Sequence, residues 1–183
     1  MIKKSAGTIV YRTTVVERRT VWFDGKHSRT EEINLDYGVR SLAIRIRSID
    51  SVLYCKSLRA VRFCVEEPID RPSRVAPPYF KPLDETAVIA GIHCRKAKYV
   101  GSKQLEIWYA EEIEIDDPTG GVLQLEGVPG WILRTDDGTL RVTVEEFSFD
   151  PPDPVRFLPP AGYRRVASVD AARAEDQRLH EIT

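Results

Sequence analysis

The sequence predicts an all-β fold, an antiparallel sheet followed by a short C-terminal helix. Three observations carry that reading: apolar and charged residues alternate with period two in several runs, turn dipeptides separate those runs, and no helical period of comparable quality precedes residue 165. A chain of 183 residues, 42% hydrophobic and 30% charged, can bury a core as a single domain over residues 1–183.

In chain order, residues 7–16 are rich in Ile, Val, Thr and Tyr and suit a first strand. Thr20–Phe23 and Lys26–Arg29 flank Asp24-Gly25, a hairpin signal. Ser41–Arg47 points Leu42, Ile44 and Ile46 one way and Ala43, Arg45 and Arg47 the other, the pattern of a half-buried strand. Ala60–Glu66 repeats it, with Val61, Phe63 and Val65 against Arg62, Cys64 and Glu66. Proline-rich stretches at 68–82 and 151–160 hold five prolines each, and proline has no ladder donor, so both are loops or extended edges. A helix is expected over residues 167–181, with Ser168 as N-cap and Asp170 at the positive end of the dipole. Its large apolar residues are chiefly Val169 and Leu179, so loose docking is expected.

The span from Gly91 to Leu133 concentrates the distinctive residues. A three-residue loop at Gly101, Ser102 and Lys103 pairs Tyr99 with Leu105, Ala97 with Ile107 and Lys98 with Glu106, which separates apolar from charged side chains. Pro129-Gly130 suits the centre of a type II turn. Beyond it, a two-residue loop at Asp137-Gly138 pairs Thr135 with Leu140, Leu133 with Val142 and Trp131 with Val144. That register sets Arg134 against Arg141, like charges that need water, beside Ile132 and Thr143. The Trp131 face is therefore the buried one.

Ala90-Gly91-Ile-His-Cys94-Arg-Lys-Ala, Ile107-Trp-Tyr-Ala-Glu-Glu-Ile113 and Gly127-Val-Pro-Gly-Trp-Ile-Leu together resemble the GLPGLI family of bacterial envelope proteins. Gly7-Thr-Ile-Val-Tyr is similar to that family's first strand, so the likeness covers most of residues 7–149. Val128 and Trp131 stand where the name-giving motif has leucines. The resemblance implies an exported protein of Bacteroidetes and a curved sheet or half-barrel like that of periplasmic lipoprotein carriers.

Charge and cysteine usage bound the function. The net charge of −1 argues against a nucleic-acid binder. Residues 1–66 carry 13 Lys and Arg against 7 Asp and Glu, while residues 105–153 carry 2 against 13, a polarisation suited either to solvated faces or to a charged protein partner. No run approaches the ~18 apolar residues that span a bilayer. Met1-Ile-Lys-Lys opens no signal peptide, so the chain is either cytoplasmic or shown without its leader, and the resemblance favours a leaderless periplasmic or envelope protein. Buried thiols are the first expectation for Cys55, Cys64 and Cys94; export would instead allow one disulfide, Cys55 and Cys64 lying in consecutive strands, with a free thiol left over.

No constellation of catalytic, metal-ligating or cofactor-binding residues emerges. Glu111, Glu112, Glu114, Asp116 and Asp117 lack the glycine placement of a calcium loop and read as a solvated edge. Cys94 and His93 are neighbours on a strand and point to opposite faces, which denies them a dyad. Gly120-Gly121 reads as a turn after Pro118, without a phosphate-cradling pattern. Core packing is the first reading of Trp108, Tyr109 and Trp131. The functional reading makes Tyr109, Trp131 and Leu133 the ligand-binding surface of a non-enzymatic protein that takes a lipid or other apolar molecule in the concave face. Its rival is a protein–protein interaction module of the envelope that uses the polarised surface. Gly130→Val is expected to destabilise by roughly 1–3 kcal/mol, because a β-branched residue resists the positive φ of a type II turn; the chemical denaturation midpoint reads it.

Overall fold

The computed structural model describes residues 6–13, 18–36, 39–48, 50–69, 79–100, 104–113 and 128–181. Among the described residues, eleven long strands and one short one build a single open sheet. They are β1 (Gly7–Thr13), β2 (Arg18–Phe23), β3 (Ser28–Asp36), β4 (Val39–Arg47), β5 (Ser51–Ser57), β6 (Arg62–Pro68), β7 (Tyr79–Ile89), β8 (Ile92–Val100), β9 (Gln104–Ala110), β10 (Trp131–Asp136), β11 (Arg141–Ser148) and β12 (Arg164–Arg165). Helix α1 (Val169–Glu181) follows, and Ser168 caps it by accepting from the Ala171 amide at 3.1 Å. The fold is all-β with a short C-terminal helix, as the alternation predicts.

The order across the sheet is β12-β6-β5-β4-β3-β2-β1-β11-β10-β9-β8-β7. Two meanders, β1 to β6 and β7 to β11, run outward from a central seam where β1 pairs antiparallel with β11. Every junction is antiparallel except the short β12 against β6. Tyr79–Pro82 belongs to β7 rather than to a proline-rich loop, and Pro82 sits where it does least harm, on an edge strand paired on one side.

Alternation and register together sort the side chains. One face, here called inner, carries Ile9, Tyr11, Val21, Phe23, Ile107, Tyr109, Trp131, Leu133, Val142 and Val144, all buried in one cluster. Helix α1 packs elsewhere, on Val61, Phe63 and Val65 beside β5. The larger cluster thus draws on the strands and their turns and on no residue of α1, among the described residues. The opposite, outer face of β4–β6 buries Ile44, Ile46, Leu53, Cys55 and Cys64, and Tyr163 packs on them. Residues 154–163 form a belt over the outer face, from Trp22 and Arg29 on β2 and β3 to the cluster under Tyr163. Its 3-10 turn at Pro154–Phe157 offers the carbonyls of Arg156 and Leu158 to the buried Arg29 guanidinium at 2.9 and 3.1 Å, and Arg156 lies over the Trp22 ring. An extended, proline-rich belt covers a sheet without needing ladder hydrogen bonds.

The β8–β9 hairpin has the expected register, Tyr99 with Leu105, Ala97 with Ile107 and Lys98 with Glu106. The β10–β11 hairpin slips by two residues: Thr135 pairs with Val142, and Asp136 with Arg141 across a four-residue loop. A slip of two keeps the faces, so Trp131, Leu133 and Thr135 stay buried. It also removes the expected opposition of arginines. Arg134 faces Thr143 and donates to its hydroxyl, while Arg141 bonds Asp136 at 2.7 Å. Ile132, expected on the outward face, is buried, because a bulge against β9 between Ile132 and Arg134 breaks the alternation there.

Two further expectations change. The backbone at Gly130 is nearly extended at φ 159°, and its amide donates to Val128 O at 2.9 Å, two residues back, so the turn is not type II. Glycine is required there because a Cβ would lie 2.3 Å from the Ala110 carbonyl oxygen. Cys55 and Cys64, direct partners on β5 and β6, form a disulfide, and only Cys94 is a free buried thiol. Gly130→Ala should therefore cost about 1–3 kcal/mol through overpacking alone, without a β-branched side chain, read as a lower urea midpoint. Replacing Cys55 and Cys64 by serine should cost about 2.5 kcal/mol from the released loop, measured the same way against the oxidised protein.

Candidate functional site

The registers define two rows across the inner face. One runs Val144, Tyr11, Arg19, Glu32, Ala43, Lys56, Phe63; the next runs Phe147, Ile9, Val21, Thr30, Arg45, Tyr54, Val65. The seam ends of both rows belong to the large apolar cluster, and the β6 ends belong to the cluster under α1. Between them, on β2 to β5, the same face turns polar: Arg19, Glu32, Thr30, Arg45 and Tyr54 stand side by side. This polar strip between two apolar bodies is the candidate site.

Arg19 is its centre. Its side chain is 12% exposed, and its Nη2 meets Glu32 Oε1 at 2.5 Å. Its Nε is buried without a hydrogen-bond partner. Burial pulls the Arg19 pKa below its ordinary value; Glu32 opposes this and the like charge of Arg45 adds to it. Arg45 lies over the Tyr54 ring, 5.4 Å from its centroid. Guanidinium groups so placed are suited to binding an oxyanion or stacking on a planar group.

The three residues expected to form a ligand surface are brought together, but as packed core. Tyr109, Trp131 and Leu133 are 1%, 3% and 0% exposed, and all belong to the large cluster. Trp131 touches the polar strip indirectly, its Nε1–H donating to Tyr11 Oη at 2.7 Å, and Tyr11 pairs with Arg19. Sequence reasoning missed Arg19, Glu32 and Arg45. The available signal was charged residues in the middle of strands whose other face is also apolar, at Arg45 between Ile44 and Ile46.

Other candidates are structural. Cys94 is buried, its Sγ 3.4 Å from Ile92 O, and burial pushes its thiol up to about 11, while His93 is exposed on the other side. Among the described residues no group of three His, Cys, Asp or Glu can hold a metal. Glu111 pairs with Arg95, whereas Glu114, Asp116, Asp117 and the Gly120-Gly121 turn lie outside the described residues. On the outer face of β7–β9, Lys96 is held between Glu85 and Glu106, which closes the charges on one another. A groove of about 430 Å³ separates Leu58 and Arg59 from α1. Its polar groups dock the helix: Asp176 accepts from the Ala60 and Val61 amides, and Arg59 donates to His180 at 2.6 Å. Few apolar contacts hold α1, as expected, but these polar ones pin it.

No family model matches the chain, and no curated protein matches it in sequence. Solved structures share the fold. PNGF-II aligns with TM-score 0.54 at 14% identity over 94% of this chain and 33% of its own, so this chain spans about a third of that protein. A second crystal form of PNGF-II gives a TM-score of 0.52. An uncharacterized conserved protein from Thermus thermophilus aligns with TM-score 0.55 at 11% identity, over 89% of this chain and 91% of its own. These identities speak to architecture alone. No described helix is long and apolar enough to cross a membrane.

Tyr11→Phe should strand the buried Trp131 N–H and cost about 1–3 kcal/mol. Trp131→Phe in the same background should cost less than it does alone, the coupling read from a double-mutant cycle by urea denaturation.

Proposed function

We propose that this is a non-catalytic binding protein of a bacterial cell envelope, holding an apolar molecule such as a lipid acyl chain against the inner face of its curved sheet. The observation that carries the reading is the inner face itself. It bears two separate apolar clusters, one about the β1–β11 seam and one under α1, with partly exposed Ala43, Arg45 and Tyr54 between them. A sheet of twelve strands with one 13-residue helix leaves that intervening face without a second layer among the described residues. Such a gap, flanked by apolar walls and floored by a few polar groups, is the usual makeup of a small-molecule site.

The envelope address is supported by the Cys55–Cys64 disulfide, which suits an oxidising compartment, and by the resemblance to the GLPGLI family. Burial raises the Cys94 thiol to about 11, which disfavours that residue as a nucleophile. Tyr109, Trp131 and Leu133 serve in this reading as the rigid wall rather than the contact surface. The test is native mass spectrometry of the extracted protein together with titration of a fluorescent fatty acid. Co-purified lipid, or saturable probe binding displaced by oleate, is expected; an apo mass combined with no probe binding removes the proposal.

A further inference from the structure

We propose that the inner-face ligand is an anionic amphiphile, its oxyanion head (carboxylate or phosphate) seated on Arg19 with Arg45 beside it. This inference rests on the binding reading above and narrows it to a class of ligand. The argument begins with the contrast between Arg19 and Arg29, both largely buried. Arg29 is fully engaged: Nε and Nη2 go to Glu31 at 2.7 and 2.6 Å, and Nη1 goes to two belt carbonyls. Arg19 has Glu32 on Nη2 and a buried Nε–H with no acceptor.

A buried donor on a charged group is costly to leave unmade, and a guanidinium satisfies its Nε edge best with a second oxyanion oxygen. Glu32 bonds Nη2 and leaves the Nε–H without an acceptor. The second cation is supplied by register: Arg19 pairs with Glu32, and Arg45 pairs with Thr30 two residues along the same strand, so both arginines share the inner face. The burial that depresses the Arg19 pKa is relieved by an added anion. Partly exposed apolar groups adjoin on the same face, since Ala43 lies across β3 from Arg19 and the Tyr54 ring stands under Arg45. An oxyanion attached to an acyl chain matches both halves of that neighbourhood.

The experiment competes three ligands of one chain length, oleate, oleyl phosphate and oleyl alcohol, against a fluorescent fatty acid on the full chain. The two anions should displace the probe at least tenfold more effectively than the alcohol. Arg19→Gln should weaken the anions about tenfold and leave the alcohol unchanged, and Arg19→Lys should fall between. Should Arg19→Gln fail to fold, as judged by circular dichroism, Arg45→Gln replaces it with the same expectation. Superior competition by only one of the anions identifies the head and supports the inference. Equal competition by alcohol and anions overturns the inference while the binding reading survives. Displacement by none of the three, with no probe binding, overturns both.

Discussion

Everything in this fold depends on one constraint: the inner face of the sheet must bury itself. Ile9, Tyr11, Leu133 and Val142 are fully buried, yet α1 reaches only the β6 end. Those side chains are removed from water together, as one cluster on the inner face about the β1–β11 seam. The Trp131–Tyr11 hydrogen bond spans that seam, from β10 to β1 across β11, and fixes two large rings inside it. Burial of such rings is a large apolar term, and their polar tips demand partners once inside. The indole and the phenol answer each other.

The outer face solves a different problem with different means. Over β4 to β6 its apolar residues are few and a folded second layer would be excessive. The belt of residues 154–163 is held at one end by Arg29 of β3 on its carbonyls and at the other by Tyr163, which packs on the β4–β6 cluster and whose hydroxyl reaches Ser57 at 2.9 Å. The chain then rounds the sheet edge: Val166 donates to Cys64 O, and α1 settles on the inner face of β6. One C-terminal segment thus seals both sides of the same edge, where an open strand would otherwise invite pairing with another chain.

Local chemistry made much of this legible. The β8–β9 register could be counted because Lys98 opposite Glu106 and Ala97 opposite Ile107 separate only in that phase. The β10–β11 faces were legible although their register was not. Asp136 and Arg141 preferred each other over a tight Asp-Gly loop, and Asp137 closes the longer loop by accepting from the Thr139 and Leu140 amides. What stayed hidden is non-local. Alternation along β4 separates Ile44 and Ile46 from Arg45, yet it is silent on which side the core lies when both faces of the sheet carry buried clusters. Arg45 is for that reason set opposite the apolar face by its sequence, and nothing local marks Arg19. The Cys55–Cys64 bridge was open for a similar reason, since two strands that can approach are not thereby in register.

The seam has a consequence for how the chain reaches this state. Thr8 lies beside Ser148, so the central ladder joins residues at nearly opposite ends of the sequence. Each meander can assemble from neighbouring hairpins, but neither encloses its greasy side until the other arrives. Contacts of such long separation are slow to form, because chain entropy is spent before packing repays it. During synthesis the first six strands therefore wait, half-finished and adhesive, until β11 has emerged, and that interval is when the protein most needs to be kept from its own copies.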